Sequence, residues 1–174
     1  MGKLSFQMVY IGSTPAGLLG MYELFDSLFS AGFAPFDTTT ADRLLIGIRE
    51  HNFVPKPAID DYRQALRREY LIFYRDKKAG KPVGPKDYGE WEGYPREQIP
   101  WSPTVSAALC DGCGNCLEVC PKDVFMLDDE GKVIVADPFT CIVGCCFCKS
   151  ACDPKAILMP TREMLDQYRH GKRL

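Results

Sequence analysis

Residues 110–124 read CDGCGNCLEVCPKDV, and this stretch decides how the chain is to be understood. It sets Cys110, Cys113, Cys116 and Cys120 in a CxxCxxCxxxCP run. Three closely spaced thiolates on one tight loop can each reach a different iron of a [4Fe–4S] cubane, while the fourth, leaving on a short helix, is placed to ligate another cluster. Gly112 and Gly114 let the loop close around an inorganic core, and Pro121 stops the helix that carries Cys120.

A second copy of the pattern follows. FTCIVGCCFCKSACDPKAILM, residues 139–159, aligns with ALCDGCGNCLEVCPKDVFML, residues 108–127. Gly144 matches Gly112, Cys145 matches Cys113, Cys148 matches Cys116 and Cys152 matches Cys120, while Cys146 falls opposite Gly114. All nine cysteines lie between Cys110 and Cys152, a concentration that core packing alone does not produce. Disulfides would suit a short secreted chain. The start, MGKLSFQMVYIGSTPAG, carries one Lys and an apolar run broken by Gln7, so no signal peptide is expected and a reducing, cytoplasmic location favours metal binding. Structural zinc prefers separated CxxC pairs, and four cysteines within eleven residues suit a cubane better.

Residues 104–160, carrying these two runs, resemble the bacterial dicluster ferredoxins. The resemblance implies a duplicated βαβ fold around two [4Fe–4S] clusters. Carried over by position, it implies that Cys110, Cys113, Cys116 and Cys152 hold the first cluster, and Cys120, Cys141, Cys145 and Cys148 the second. The sequence departs from the family pattern twice. Three residues instead of two separate Cys141 from Cys145, and Asp153 intervenes between Cys152 and Pro154. The extra residue is expected to bulge the loop without removing a ligand. Cys146 in place of Cys145 is the rival choice, but its single-residue gap to Cys148 leaves little room to reach two irons; a buried, inert thiol is the expectation for Cys146.

The rest of the chain sets the context. Its 174 residues, 46% hydrophobic and 25% charged, suit two small globular domains of an α+β protein. We expect a mostly helical domain with one strand over 1–78, a Pro/Gly/aromatic linker over 79–103, the cysteine domain over 104–160, and a C-terminal helix with a basic tail over 161–174. In the first domain Leu4, Phe6, Met8 and Tyr10 alternate as in a strand, with Gly12 and Pro15 breaking it. A helix from Pro15 or Ala16 carries Leu18, Leu19, Tyr22, Phe25 and Leu28 and ends at Gly32. Thr40 caps a second, containing Leu44, Leu45, Ile46 and Ile48. A third runs from Pro57 to about Lys78, with Ile59, Tyr62, Leu66, Tyr70 and Phe73 at helical spacing and Arg63, Arg67 and Arg68 solvated. The linker is stiffened by five prolines; Trp91 and Trp101 lie across a domain or, alternatively, serve as a docking surface.

Composition also excludes. A formal charge of −2 gives no basis for nucleic-acid binding, and no apolar stretch approaches the roughly 18 residues of a membrane span. Residues 104–160 carry 4 basic and 8 acidic side chains, so acidity collects at the cysteines; Asp111, Asp128, Asp129, Glu130 and Asp137 would lower a cluster's potential if close and steer a basic partner. Gly12, Gly17 and Gly20 form no nucleotide loop, and His51 and His170 have no catalytic companions. The expectation is therefore a single-electron carrier or the electron-transfer subunit of an oxidoreductase, not an enzyme itself, working with redox partner proteins. A cluster-assembly scaffold and an enzyme with an unrecognised N-terminal site are the alternatives.

Overall fold

The computed structural model describes residues 2–170, the side chain of His170 excepted; the expected basic tail lies outside the described residues. The protein is a mixed helix and small-sheet, α+β, structure in two compact units that divide between Asp87 and Tyr88.

The first unit opens with a hairpin of β1 (Phe6–Ile11) and β2 (Thr14–Leu19), antiparallel with Ile11 opposite Thr14 and Phe6 opposite Leu19. Two expectations are corrected here. The helix read from Pro15 is a strand as far as Leu19, because Gly12, at φ +61°, begins a two-residue Gly-Ser turn of the kind that joins paired strands. Pro15 is tolerated because a two-stranded sheet is all edge. Gly17 has the ring of Phe6 packed over it, where a Cβ would stand 2.4 Å away. The phase of β1 is also the reverse of the alternation read from Phe6, Met8 and Tyr10: Gln7, Val9 and Ile11 are buried and Phe6 is exposed. Valine and isoleucine share the buried face with Leu18, and Gln7 is admitted because its amide is satisfied, accepting from the Lys86 N–H at 2.8 Å and donating to Met8 O at 3.0 Å.

Three helices complete this unit: α1 (Met21–Ser30), α2 (Thr40–Ile48) and α3 (Ile59–Lys78), the last entered through a 3₁₀ turn, Lys56–Ala58. Thr40 is the first helical residue instead of the cap; its hydroxyl is buried and donates to Ala34 O at 2.7 Å. Phe25, Leu44, Leu66 and Tyr70 are fully buried at the centre of the three-helix core. Arg68 is not simply solvated. It donates to Tyr10 O at 3.0 Å and pairs with Glu69, tying α3 to β1.

The second unit takes in residues from Tyr88 onward, so 79–87 go with the first unit and 88–103 with the second. The 88–103 arm carries a short hairpin, β3 (Glu90–Trp91) with β4 (Tyr94–Pro95), and a 3₁₀ turn at Arg96–Gln98. Trp101 is fully buried in this unit's own core, which removes it from any docking surface. Then come β5 (Thr104–Val105), α4 (Asn115–Val119), β6 (Phe125–Leu127), β7 (Val133–Val135), a 3₁₀ turn at Pro138–Thr140, α5 (Phe147–Ala151) and β8 (Ile157–Leu158). A further 3₁₀ turn, Arg162–Leu165, leads into α6 (Asp166–His170). β5 pairs antiparallel with β8 and β6 with β7, and α4 lies against α5. Five cysteines belong to the buried core of this unit beside Ile99, Trp101, Val124 and Ile157. A core this small and this rich in sulfur is of the kind a bound metal group stabilises.

Candidate metal centre

The cysteines are brought together by two short helices of like construction. α4 starts after Gly114, which is left-handed at φ +81°, carries Cys116 in its first turn and releases Cys120 in extended backbone just before Pro121. α5 starts after Cys146, carries Cys148, and releases Cys152 in extended backbone. Because the helices pack side by side, each one's terminal cysteine reaches the other's loop.

Two cavities result. Cys110, Cys113, Cys116 and Cys152 stand around one, walled by Val105, Val133 and Ile157. Cys120, Cys141, Cys145 and Cys148 stand around the other, walled by Val124, Phe125 and Phe147. Each thus gathers three cysteines from one run and the terminal cysteine of the other. Cys146 lines neither cavity; it is half-buried, its sulfur 4.0 Å from Gly144 O. Among the described residues no three of His, Cys, Asp and Glu are grouped as a single metal ion would need. A donor set of four thiols around a largely apolar cavity fits a [4Fe–4S] cubane.

The loop around the first cavity is tightly built. Gly112 is at φ +77°, and a Cβ there would lie 2.3 Å from Gly131 O on the turn between β6 and β7. Asp111 accepts from the Cys113 N–H at 3.1 Å, Lys132 Nζ donates to Cys110 O, and the Ala156 N–H donates to Cys152 Sγ at 3.3 Å. Around the second cavity, the extra residue between Cys141 and Cys145 sits in a turn closed by Cys145 N–H to Ile142 O, 3.0 Å. The inserted Asp153 sits in another, Lys155 N–H to Cys152 O, which places Lys155 at φ +59°. Trp101 Nε1 donates to Cys145 O at 3.3 Å, and Arg96 donates to Cys141 O at 2.8 Å. Arg162 holds Gly144 O at 3.1 Å.

Burial pushes the thiols up: Cys141 to about 12, with Cys148, Cys145 and Cys120 adding to the rise and Arg96 opposing it. Cys148 is pushed up to about 11 by burial and by neighbouring cysteines, and Cys116 is raised for the same reasons. Such thiols are protonated at neutral pH, so metal must displace the protons and loading releases them.

Of the acids expected near the cysteines, Asp111 and Asp128 are engaged in local turns, and Asp137 is buried and accepts from the Tyr88 hydroxyl at 2.9 Å. Arg96 and Lys132 were not singled out from the sequence. Arg96 stands in a Pro-rich stretch and Lys132 in an exposed turn, and nothing local marks either as a partner of a cysteine carbonyl.

Comparison with known proteins agrees with this chemistry. The 4Fe-4S binding domain family matches residues 102–125, which hold the first cysteine run. An uncharacterized ferredoxin of Methanocaldococcus jannaschii is 30% identical over 112 residues, 64% of this chain and 65% of that one. A second uncharacterized ferredoxin of the same organism is 40% identical over 57 residues, 32% of this chain and 73% of the relative. The DNA-directed RNA polymerase subunit Rpo3 of Methanosarcina mazei is 29% identical over 75 residues, 37% of this chain. The chain spans 65% of the first of these relatives and 28% of the polymerase subunit, less than two thirds of either. No solved structure matches it.

Proposed function

The chain belongs to the 4Fe–4S ferredoxin family, and on that footing we propose that it carries single electrons on two [4Fe–4S] clusters, as a free carrier or as the electron-transfer subunit of an oxidoreductase. The observation that carries the proposal is the pair of cavities, each surrounded by four cysteines and each drawing one of them from the other run. The same crossing, with β5 paired to β8 and β6 to β7, supports reading this unit as a duplicated βαβ ferredoxin fold.

When bound, the clusters supply a one-electron couple whose potential is set by hydrogen bonds, charge and solvent access. The chain's residues do the rest. Eight thiolates hold the metal, the Ala156 N–H lends polarity to Cys152 Sγ, and Val105, Val133, Ile157, Val124 and Phe125 exclude water. Cys113 is exposed, which makes the rim of the first cavity the natural place for a redox partner protein to approach. Among the described residues no helix is long and apolar enough to cross a membrane. Free thiols on this scale suit a reducing compartment such as the cytoplasm.

Anaerobic reductive titration tests this reading. Uptake of about two electrons per chain, returned to a one-electron acceptor protein with the clusters intact, is the expected result for two cubanes. Transfer of the iron to an apo-ferredoxin or to a chelator during the same incubation would instead identify an assembly scaffold.

A further inference from the structure

Cys120 and Cys152 are the two cysteines that cross to the other run's cavity, and the backbone that follows them differs. Pro121 comes directly after Cys120, whereas Asp153 stands after Cys152 and moves the proline one place on, to Pro154. The turn changes with it. Lys155 N–H closes on Cys152 O at 3.2 Å, and Lys155 takes φ +59°, which few residues with a side chain adopt. Ala156 comes next, directly before β8, and is buried and fixed at both its polar groups. Its carbonyl accepts from the Ser106 N–H at 2.8 Å, and its N–H donates to Cys152 Sγ at 3.3 Å. Val124 holds the matching place, four residues after Cys120 and directly before β6. It too is buried, and its carbonyl accepts from the Ala136 N–H at 2.7 Å, yet among the described residues no N–H donates to Cys120 Sγ. At the cysteines inside the helices the halves match: burial raises both Cys116 and Cys148, and the N–H of the following residue, Leu117 or Lys149, opposes the rise in each.

We propose that the displaced proline sets the first cluster's reduction potential: by turning the Ala156 N–H onto Cys152 Sγ, it raises that potential above what the Cys120-Pro121 form of the turn would give. This rests on the two-cluster reading above. A reduced cluster carries more negative charge on its sulfurs than an oxidised one, so an N–H dipole aimed at a ligand sulfur stabilises the reduced form more. Ala156 is 1% exposed, and there little water competes with the bond or screens it. Asp153 and Lys155, the charged residues of the turn, are exposed, and water and salt screen them. The backbone of the turn therefore carries the difference, not its charges. Reduction is a bare electron transfer: a one-electron donor protein is oxidised, the first cluster is reduced, and no bond or proton changes place.

The experiment is an EPR-monitored redox titration of the anaerobically purified, full-length holoprotein. Iron and sulfide are measured first, and the first cluster is identified as the signal that Cys110→Ala perturbs. Giving this turn the order of the other run, Asp153→Pro with Pro154→Lys and Lys155→Asp, keeps its length and composition. The exchange should shift the first cluster's reduction equilibrium about tenfold, 59 mV for one electron, to lower potential and leave the second in place. Lys155→Gly removes the charge but keeps the backbone, since glycine takes a positive φ freely, and should move the first cluster less than about threefold. An exchange that leaves the first cluster unmoved overturns the proposal, and so does a Lys155→Gly shift as large as that of the exchange. The wild type gives a test that holds even if the exchanged turn fails to fold. Protein carrying isotopically labelled alanine nitrogen should show a nitrogen coupling to the reduced first cluster that is lost in Ala156→Gly, which keeps the N–H but not the label. Absence of that coupling in the wild type overturns the proposal. An iron content appropriate to a single cubane would instead overturn the two-cluster reading beneath it.

Discussion

Gly112→Ala probes the first cysteine loop where it is tightest. The residue's φ of +77° is one that an L side chain adopts at a cost of about 1–2 kcal/mol. In addition the new Cβ would stand 2.3 Å from Gly131 O, a backbone atom, so the turn between β6 and β7 must retreat by about 1 Å to restore an ordinary 3.4 Å contact. That turn is held by Asp128, which accepts from the Glu130 and Lys132 N–H groups at 2.9 and 2.8 Å, and it carries the lysine that serves Cys110 O. Displacing it adds strain of about 1–3 kcal/mol. Gly144→Ala is the control, since Gly144 is at φ +88° with nothing within 4 Å and carries only the conformational part. The assay is the loss of cluster absorbance from anaerobic holoprotein in rising guanidinium. Because this loss is irreversible, rates are compared at one concentration. Gly112→Ala should bleach faster than Gly144→Ala by about thirtyfold, the equivalent of about 2 kcal/mol, the middle of that strain range, with half of the iron lost first. Equal rates for the two variants would refute the close-approach argument.

Cys152→Ala should perturb the same paramagnetic signal as Cys110→Ala, because both sulfurs face one cavity; a change shared with Cys141→Ala instead would break the quartet assignment. Cys146→Ala should keep its full iron content while Cys145→Ala loses or converts the second cluster, and the reverse outcome would make Cys146 the ligand. In the first unit, Tyr70→Phe should destabilise by about 1–2 kcal/mol in denaturant melts, since it leaves Phe33 O without the hydroxyl that donates to it at 2.6 Å. Burial, then Tyr74 and Asp37, pushes that hydroxyl up to about 12, against an ordinary value of 10.0. The unfolded chain therefore releases this proton first. The advantage of wild type over Tyr70→Phe should hold below pH 10 and shrink as pH rises towards 12, and an advantage that stayed constant there would contradict the burial argument.

What could be read from the residues followed the length and strength of each pattern. Twenty residues of α3 carry an apolar stripe with Pro57 at its start, and this helix was legible almost to its ends. β2 was not, because six residues with Leu18 and Leu19 fit a helix as readily as a strand until Gly12 is known to turn and Phe6 to lie over Gly17. β1 was legible as a strand but not in phase. Phe6, Met8 and Tyr10 are the more obvious apolar set, and it takes the Lys86 N–H, distant in sequence, to explain how Gln7 comes to be buried in their place. The spacing of the cysteines carried the chemistry of the site, since ligand geometry constrains sequence over a few residues. Arg96 and Lys132 lay beyond reach for the converse reason: a cation's burial and its choice of carbonyl are decided by chain segments up to 45 residues away.

Iron, inorganic sulfide and zinc determined on anaerobically purified full-length protein test the central claim most directly. Two cubanes held by Cys110, Cys113, Cys116 and Cys152 and by Cys120, Cys141, Cys145 and Cys148 require about eight iron and about eight sulfides per chain. About four of each would contradict the account of the second cavity, and zinc without inorganic sulfide would contradict the account as a whole.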